Sequence, residues 1–329
     1  MKNRNGYKSF YLILVFSVFW MCVSLMPKNQ QLTETEYTES RNLYSNADES
    51  LAYRQTKQTA VSEKKPYTIM VFMNGSDLES KYRAGTNDIK QMAASGYDDE
   101  NVNLIIFTGG CEKWHLKAIP NGLNTVFEMR EGGKLVKLKA LGNESTGDPL
   151  VLAGFIDFCV TEFPAEKYGL ILWNHGGGAV VGYGADERYE NEPEHAVMKL
   201  TDIDDALTLG LNGETLEFLG FDTCLMSTLE MANIAAKSAK YLIASEEVEP
   251  EQGWDYNFLR EIKADSAGYD IGKTVVDYYG RYYKKTGLDG GMFTTMSLTN
   301  LEKIEELTEA FENFAKAAEI GRASCRERV

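Results

Sequence analysis

Two runs decide how this sequence folds: Leu170-Ile171-Leu172-Trp173-Asn174-His175-Gly176-Gly177-Gly178 and Phe218-Leu219-Gly220-Phe221-Asp222-Thr223-Cys224. Each is an apolar stretch of strand length that ends abruptly in polar or glycine residues, the pattern of a strand buried on both faces. The first delivers a histidine at its carboxyl end and the second a cysteine. In open α/β sheets, sites form in the crevice at the carboxyl ends of the strands. Neighbouring strands with these endings present an imidazole and a thiol to one place, as a cysteine nucleophile with a histidine partner requires.

Outward from these runs, Tyr67-Thr68-Ile69-Met70-Val71-Phe72-Met73, closed by Asn74-Gly75-Ser76-Asp77, reads as another buried parallel strand, and so does Asn103-Leu104-Ile105-Ile106-Phe107-Thr108, closed by Gly109-Gly110. The stretches 125–129 and 134–139 flank Glu131-Gly132-Gly133 and predict a hairpin. Helices are predicted over 81–94, 148–163, 225–239, 269–286 and 301–318, with short strands over 241–245 and 292–298. The connection between the two deciding strands reads as a long polar stretch. Strands alternating with helices imply an α/β fold, a largely parallel sheet covered on both faces. No internal repeat is evident.

The chain has 329 residues, 43% of them hydrophobic, which excludes wholesale disorder and permits a sizeable core. Residues 1–30 carry Lys2, Arg4 and Lys8 and then an uncharged apolar run from Phe10 to Met26, the n-region and h-region of a bacterial-type export signal. No small-x-small cleavage site follows, so signal peptide and uncleaved N-terminal anchor both stand, and this segment is the only expected membrane contact. Phe19-Trp20-Met21 is too bulky before Cys22 for lipidation. Residues 31–65 are polar and aperiodic and read as a linker or pro-segment. At the other end, Ile320-Gly321-Arg322-Ala323-Ser324-Cys325-Arg326-Glu327-Arg328-Val329 looks like a translated adapter sequence, so residues 319–329 are expected to be non-native and the domain over 66–318 to be truncated.

Subtracting the +4 of residues 1–30 and the +1 of residues 319–329 from the net −15 leaves −20 for residues 31–318. Such a surface repels nucleic acid and anionic membranes and favours cationic partners. Between the two ends stand Cys111, Cys159 and Cys224, an odd number without framework spacing, so this is no disulfide scaffold despite the export signal. Neither Cys-x-x-Cys nor His-x-x-x-His occurs, and no metal site is expected.

Among these residues Cys224 is the candidate nucleophile. The predicted helix from 225, with Leu225, Leu229, Ala232 and Ala236 at three- and four-residue spacing, puts the thiol at a helix N-terminus, where the helix dipole would favour the thiolate. His175 is the candidate general acid toward the leaving amine and base toward water. The backbone amides of Gly176 and Cys224 are the natural oxyanion donors. Asp222, two residues before the thiol, shares its face by strand alternation and suits a cationic substrate side chain; a cap for the following helix is its other role. The acidic loop Glu246-Glu247-Val248-Glu249-Pro250-Glu251-Gln252-Gly253-Trp254 supplies a second wall, and nothing in the sequence singles out one glutamate. This chemistry needs no cofactor.

With Asn174-His175-Gly176-Gly177-Gly178 followed by Asp222-Thr223-Cys224-Leu225-Met226-Ser227, histidine first and each motif at a strand end, the chain resembles the clostripain family of cysteine peptidases, of the caspase, legumain and gingipain clan. The resemblance implies a caspase-like α/β/α sandwich, a His-Cys dyad acting through a thioester, and peptide substrates with Arg or Lys at P1, the Asp222 position contributing to that pocket. Some relatives need calcium, on which the acidic stretches here are silent. The connection between the catalytic strands reads as exposed and mobile, and relatives are activated by cleavage there, so self-cleavage is expected after Arg188 or Lys199, Arg188 before Lys199. A catalytically silent envelope binding protein and a Cys-His amidase or transpeptidase are the rival readings.

Overall fold

The apolar runs become strands as their composition demands: β1 (Lys65–Asn74), β2 (Val102–Gly109), β5 (Ala165–Trp173) and β6 (Leu216–Asp222), buried along nearly their whole length. Between and beyond them lie β3 (Thr125–Arg130), β4 (Lys134–Ala140), β7 (Ala239–Ala244) and β8 (Ser297–Asn300). In this computed structural model, which describes residues 64–287 and 294–317 together with Thr38, they form one sheet in the order β4-β3-β2-β1-β5-β6-β7-β8. The five central strands are parallel; β3 and β4 on one edge and β8 on the other are antiparallel.

Strand alternation divides the apolar side chains between two cores. Met70, Phe72, Leu170, Leu172, Leu219 and Phe221 pack with residues of α2 (Pro149–Glu162), α3 (Leu200–Gly210) and α4 (Leu229–Ala235). Ile69, Val71, Ile171, Trp173 and Phe218 pack with α1 (Ala84–Ala94), α5 (Gly268–Thr286) and the turn Tyr256–Glu261. The first core is pinned by Phe72 stacked on Phe107 at 4.3 Å, with Phe155 of α2 tilted against both at 5.9 and 5.6 Å. α2 starts where Asp148 caps it, accepting a hydrogen bond from Leu150 N–H at 2.8 Å before Pro149 sets the first turn. The last helix, α6 (Ile304–Ala317), follows a short turn at Leu301–Lys303.

The sheet is the α/β/α sandwich expected from sequence, and the differences are local. The predicted helix 81–94 begins only at Ala84: Arg83 before it sits at φ 64°, outside helical space, and a separate single turn over Ser76–Ser80 precedes it. The polar connection between β5 and β6 contains α3, whose buried Ile203, Ala206, Leu207 and Gly210 carry helical spacing. The expected strand over 292–298 begins only at Ser297, and residues 288–293 lie outside the described residues. The readings of residues 1–63 and 318–329 fall outside them too. No helix among the described residues is long and apolar enough to cross a membrane.

From β1 the chain adds β2 on one side and later β5 on the other. The strand order therefore reverses at β1, and the crevice opens at the carboxyl ends of β1, β5 and β6, where ligands bind in sheets of this kind.

Candidate active site

His175 stands two residues past β5. Its backbone N–H is bonded to the Asn174 side-chain oxygen, and Asn174 Nδ2 donates to the Asn74 carbonyl at the end of β1 at 2.7 Å. The neighbouring strand end thus fixes the segment that carries the imidazole. The ring itself is bonded through Nε2 to Asp77 Oδ1 at 2.9 Å, and this hydrogen bond holds the Asp77 carboxyl below the usual range. Asp77 lies in the turn after β1, a polar strand ending at the same edge of the sheet. That placement is its only sequence signal.

The three glycines after His175 fold the chain back on itself and onto the cysteine loop. Gly177 N–H donates to the Gly182 carbonyl at 2.8 Å and Gly184 N–H to the His175 carbonyl at 3.0 Å. A Cβ on Gly176 would stand 2.0 Å from the Cys224 carbonyl oxygen, and one on Gly178 would stand 3.1 Å from the Leu225 carbonyl. The histidine and cysteine loops are therefore in backbone contact, and only glycine permits it at residue 176. Among the described residues the amide N–H groups of Gly176 and Cys224 donate no hydrogen bond, leaving both available to an oxyanion. Gly176→Ala should push the two loops apart, cutting kcat/KM by about 100-fold or more, because misplacements of this size carry such penalties. The overpacking should cost only about 1–3 kcal/mol of stability. Steady-state kinetics beside a denaturant melt measure both.

Cys224 does not sit at a helix N-terminus, and that expectation is corrected. Leu225 adopts φ 64°; its N–H donates to the Glu247 carbonyl at 3.1 Å, and Ser227 N–H donates to the Ser245 carbonyl at 2.9 Å. These bonds draw the chain across the end of β7, so α4 begins only at Leu229, where the Thr228 hydroxyl accepts from Met231 N–H at 3.1 Å. The thiol gains no dipole, and burial pushes it up rather than down. The opposing influence is Glu249, whose backbone N–H donates to the sulfur at 3.2 Å. Cys111 and Cys159 are free, buried and pushed up by burial as well.

With Thr228 as the cap, Asp222 is not one. Its carboxylate is buried, Oδ1 accepting from Trp254 N–H at 3.0 Å and Oδ2 from the Tyr256 hydroxyl at 2.8 Å. Of the glutamates in the 246–251 loop, only Glu249 buries its carboxyl, against the Asp222 carboxyl and the Thr223 N–H, while Glu246, Glu247 and Glu251 are exposed. Burial raises both Asp222 and Glu249; the charge of Asp222 raises Glu249 further, whereas the hydrogen bond from Glu249 lowers Asp222. Two ionised carboxylates cannot bond to each other, but a protonated one can donate. A proton shared by the pair makes Glu249 the donor and Asp222 the acceptor of their hydrogen bond. The Cys224 thiol feels the charge of Asp222, and Tyr279, whose buried hydroxyl is unpartnered, feels Glu249, Asp222 and Cys224. The acid pair and the thiol therefore form one cluster.

Arg188 is not in an exposed, mobile stretch. It lies in the turn Glu187–Tyr189, and its guanidinium bonds Asp186 through Nε at 2.9 Å and Nη2 at 2.6 Å, then Asn124 Oδ1 and the Glu144 carbonyl at 3.1 Å each. Asp186 is fully enclosed and also accepts from Thr146. Lys199 precedes α3, with its N–H on the Asp202 carboxylate at 2.7 Å and no ion pair to its ammonium among the described residues. The exposed tip of the connection is Glu190 to His195, which holds neither Arg nor Lys.

Among the described residues no cluster of three or more His, Cys, Asp or Glu could hold a metal ion. Comparison with known proteins follows the same geometry. The family model described as Peptidase_C11, the clostripain family, matches residues 71–325. Clostripain of Hathewaya histolytica is 28% identical over 268 residues, covering 69% of this chain and 49% of the relative, so the chain spans about half that protein's length. A secreted C11 cysteine protease from Bacteroides thetaiotaomicron, solved with an irreversible peptide inhibitor, superposes with a TM-score of 0.60 at 20% identity, over 75% of this chain and 69% of that one. An inactive zymogen C11 protease from Parabacteroides distasonis superposes with a TM-score of 0.57 at 22% identity, over 75% and 65%. With most of its length matched by the family model and both motifs at adjoining strand ends, the chain belongs to the clostripain family.

Proposed function

We propose that this chain is an exported cysteine endopeptidase that cuts proteins or peptides after Arg or Lys. The observation that carries the reading is the backbone contact of the His175 and Cys224 loops beside a buried acid pair. The sulfur of Cys224, its proton passed to His175, attacks the scissile carbonyl carbon. The oxyanion accepts from the amides of Gly176 and Cys224. The C–N bond breaks as His175 returns the proton to the leaving amine, leaving a thioester. Water then gives a proton to His175 and its oxygen to the acyl carbon, releasing the new carboxyl terminus and restoring the thiol. Asp222 and Glu249 attract the P1 cation. Export follows from the apolar segment after Lys2, Arg4 and Lys8, and the net charge of residues 31–318 disfavours nucleic acid as a partner.

A peptide with P1 Lys and a thiol-reactive group should label Cys224, mapped by mass spectrometry, and should fail on His175→Ala. A wild-type chain that binds the peptide without covalent label would be the silent binding protein.

Self-processing belongs to the same reading. Cutting after Arg188 first requires breaking a buried bidentate pair, about 3–5 kcal/mol. Cutting after Lys199 requires the start of α3 to fray and the bridge of buried Met198 to Tyr183 to open but breaks no ion pair among the described residues, so Lys199 is the expected site. Intact-mass analysis of wild type beside Cys224→Ala should give two fragments meeting at Lys199 in the first and one chain in the second. A cut after Arg188, or an uncut and fully active wild type, contradicts this.

A further inference from the structure

We infer that Asp77 is the positioning residue for His175, holding the ring by Nε2 so that Nδ1 is the nitrogen that exchanges protons with thiol and leaving amine. The inference rests on the reading of His175 and Cys224 as the reacting pair. An ionised carboxylate only accepts hydrogen bonds, so the 2.9 Å contact to Asp77 Oδ1 assigns the Nε2 proton and leaves Nδ1 unprotonated in the neutral ring. No other hydrogen bond to the ring exists among the described residues. When the ring takes the thiol proton, the same carboxylate becomes the counter-charge of the imidazolium, the role a buried acid plays beside the histidine of other acyl-transfer sites.

Asp77 stands on a fixed mount. Gly75 N–H donates to the Gly109 carbonyl at 2.8 Å and Ser76 N–H to the Gly110 carbonyl at 3.0 Å, tying the turn to the end of β2. Glu79, fully buried in that turn, accepts from Thr86 N–H at 2.7 Å, from the Thr86 hydroxyl and His115 N–H at 2.6 Å each, and so locks the turn to α1. Ser80 Oγ donates to Glu187 at 2.7 Å, linking the mount to the connection that follows His175. The charged groups that meet Asp77 are His175 and, from the same turn, Lys81, whose Nζ lies 3.6 Å from Oδ2. The Asp77 and His175 side chains are 36% and 44% exposed, and a pair that open adds little to stability. Its value lies in selecting one tautomer and one ring orientation.

Two measurements test this. The first needs no turnover: nitrogen-15 NMR of the histidines, only three in the chain, in a Cys224→Ala background. With Asp77 present the neutral His175 ring should be the Nε2–H tautomer, and Asp77→Asn should lose that preference. The same tautomer in both overturns the inference. The second uses the enzyme with Cys224 intact. Asp77→Asn should lower kcat by about 100-fold with KM changed by less than about twofold, since the loss falls on proton transfer. The acid limb of its pH profile, set by the neutral ring that must take the thiol proton, should move to lower pH as the imidazolium loses its counter-charge. Asp77→Glu should recover part of the rate. A fall in kcat with an unmoved limb marks a structural role and overturns the inference, as does an unchanged kcat. Absence of turnover in wild type would defeat the peptidase reading instead, and the NMR measurement would still decide the role of Asp77.

Discussion

Cys224→Ala is expected to abolish peptide hydrolysis, by at least about 10,000-fold in kcat/KM, while the thermal midpoint moves by no more than a few degrees. The side chain removed is small and partly exposed at the rim of the sheet, so little packing is lost, whereas no other group near the oxyanion donors can form the acyl intermediate. His175→Ala should be comparably damaging, because the ring that exchanges protons with the thiol and the leaving amine is lost. Cys111→Ala and Cys159→Ala should keep wild-type kinetics. Both thiols are buried and pushed toward the protonated form. Fluorogenic peptide assays of the four variants, each paired with a melt, separate loss of chemistry from loss of fold. Substantial turnover by folded Cys224→Ala would refute the mechanism.

The second large effect concerns the acid pair. Asp222→Asn is expected to cut kcat/KM for peptides with P1 Arg or Lys by about 10- to 100-fold, since a charge-assisted contact in a desolvated site is lost. Peptides with neutral P1 should change by less than about threefold. Asn retains an oxygen for Trp254 N–H, so the local fold should survive. The pair also sets a pH dependence. Burial pushes the Asp222 carboxyl up to about 7 and Glu249 upward as well. An acid raised in this way is neutral below its midpoint and anionic above it. A P1 cation favours the anion, so its binding displaces the shared proton. For basic substrates kcat/KM should therefore rise with pH through the neutral range, and Glu249→Gln should flatten that rise. A rise of equal size on neutral-P1 peptides would place its origin elsewhere.

The sheet and the meeting of the His175 and Cys224 loops were legible because they depend on strong local signals. A run such as Leu170-Ile171-Leu172-Trp173 has no solvated face and must be an inner strand, and a polar break after it marks the carboxyl edge. Cys224 was found for that reason, but its surroundings were misread. The spacing of Leu225, Leu229 and Ala232 is helical, yet the bonds of Leu225 and Ser227 to Glu247 and Ser245 outweigh the first turn. Those partners lie beyond β7, and no local pattern reveals them. The same holds for Asp77 and Glu249. One reaches His175 from 98 residues earlier, and the other becomes the buried glutamate of its loop only because its segment crosses the thiol. Arg188 shows the opposite failure. A polar stretch suggested mobility, but Asp186 two residues before it is buried and supplies a bidentate partner.

The most direct test of the central claim is a panel of fluorogenic peptides identical except at P1, assayed on the wild-type chain. The account predicts that Arg and Lys exceed every neutral or acidic P1 residue by about 100-fold or more in kcat/KM. A preference for Asp, Asn or an apolar residue at P1 would contradict it, leaving Asp222 and Glu249 as structural acids only.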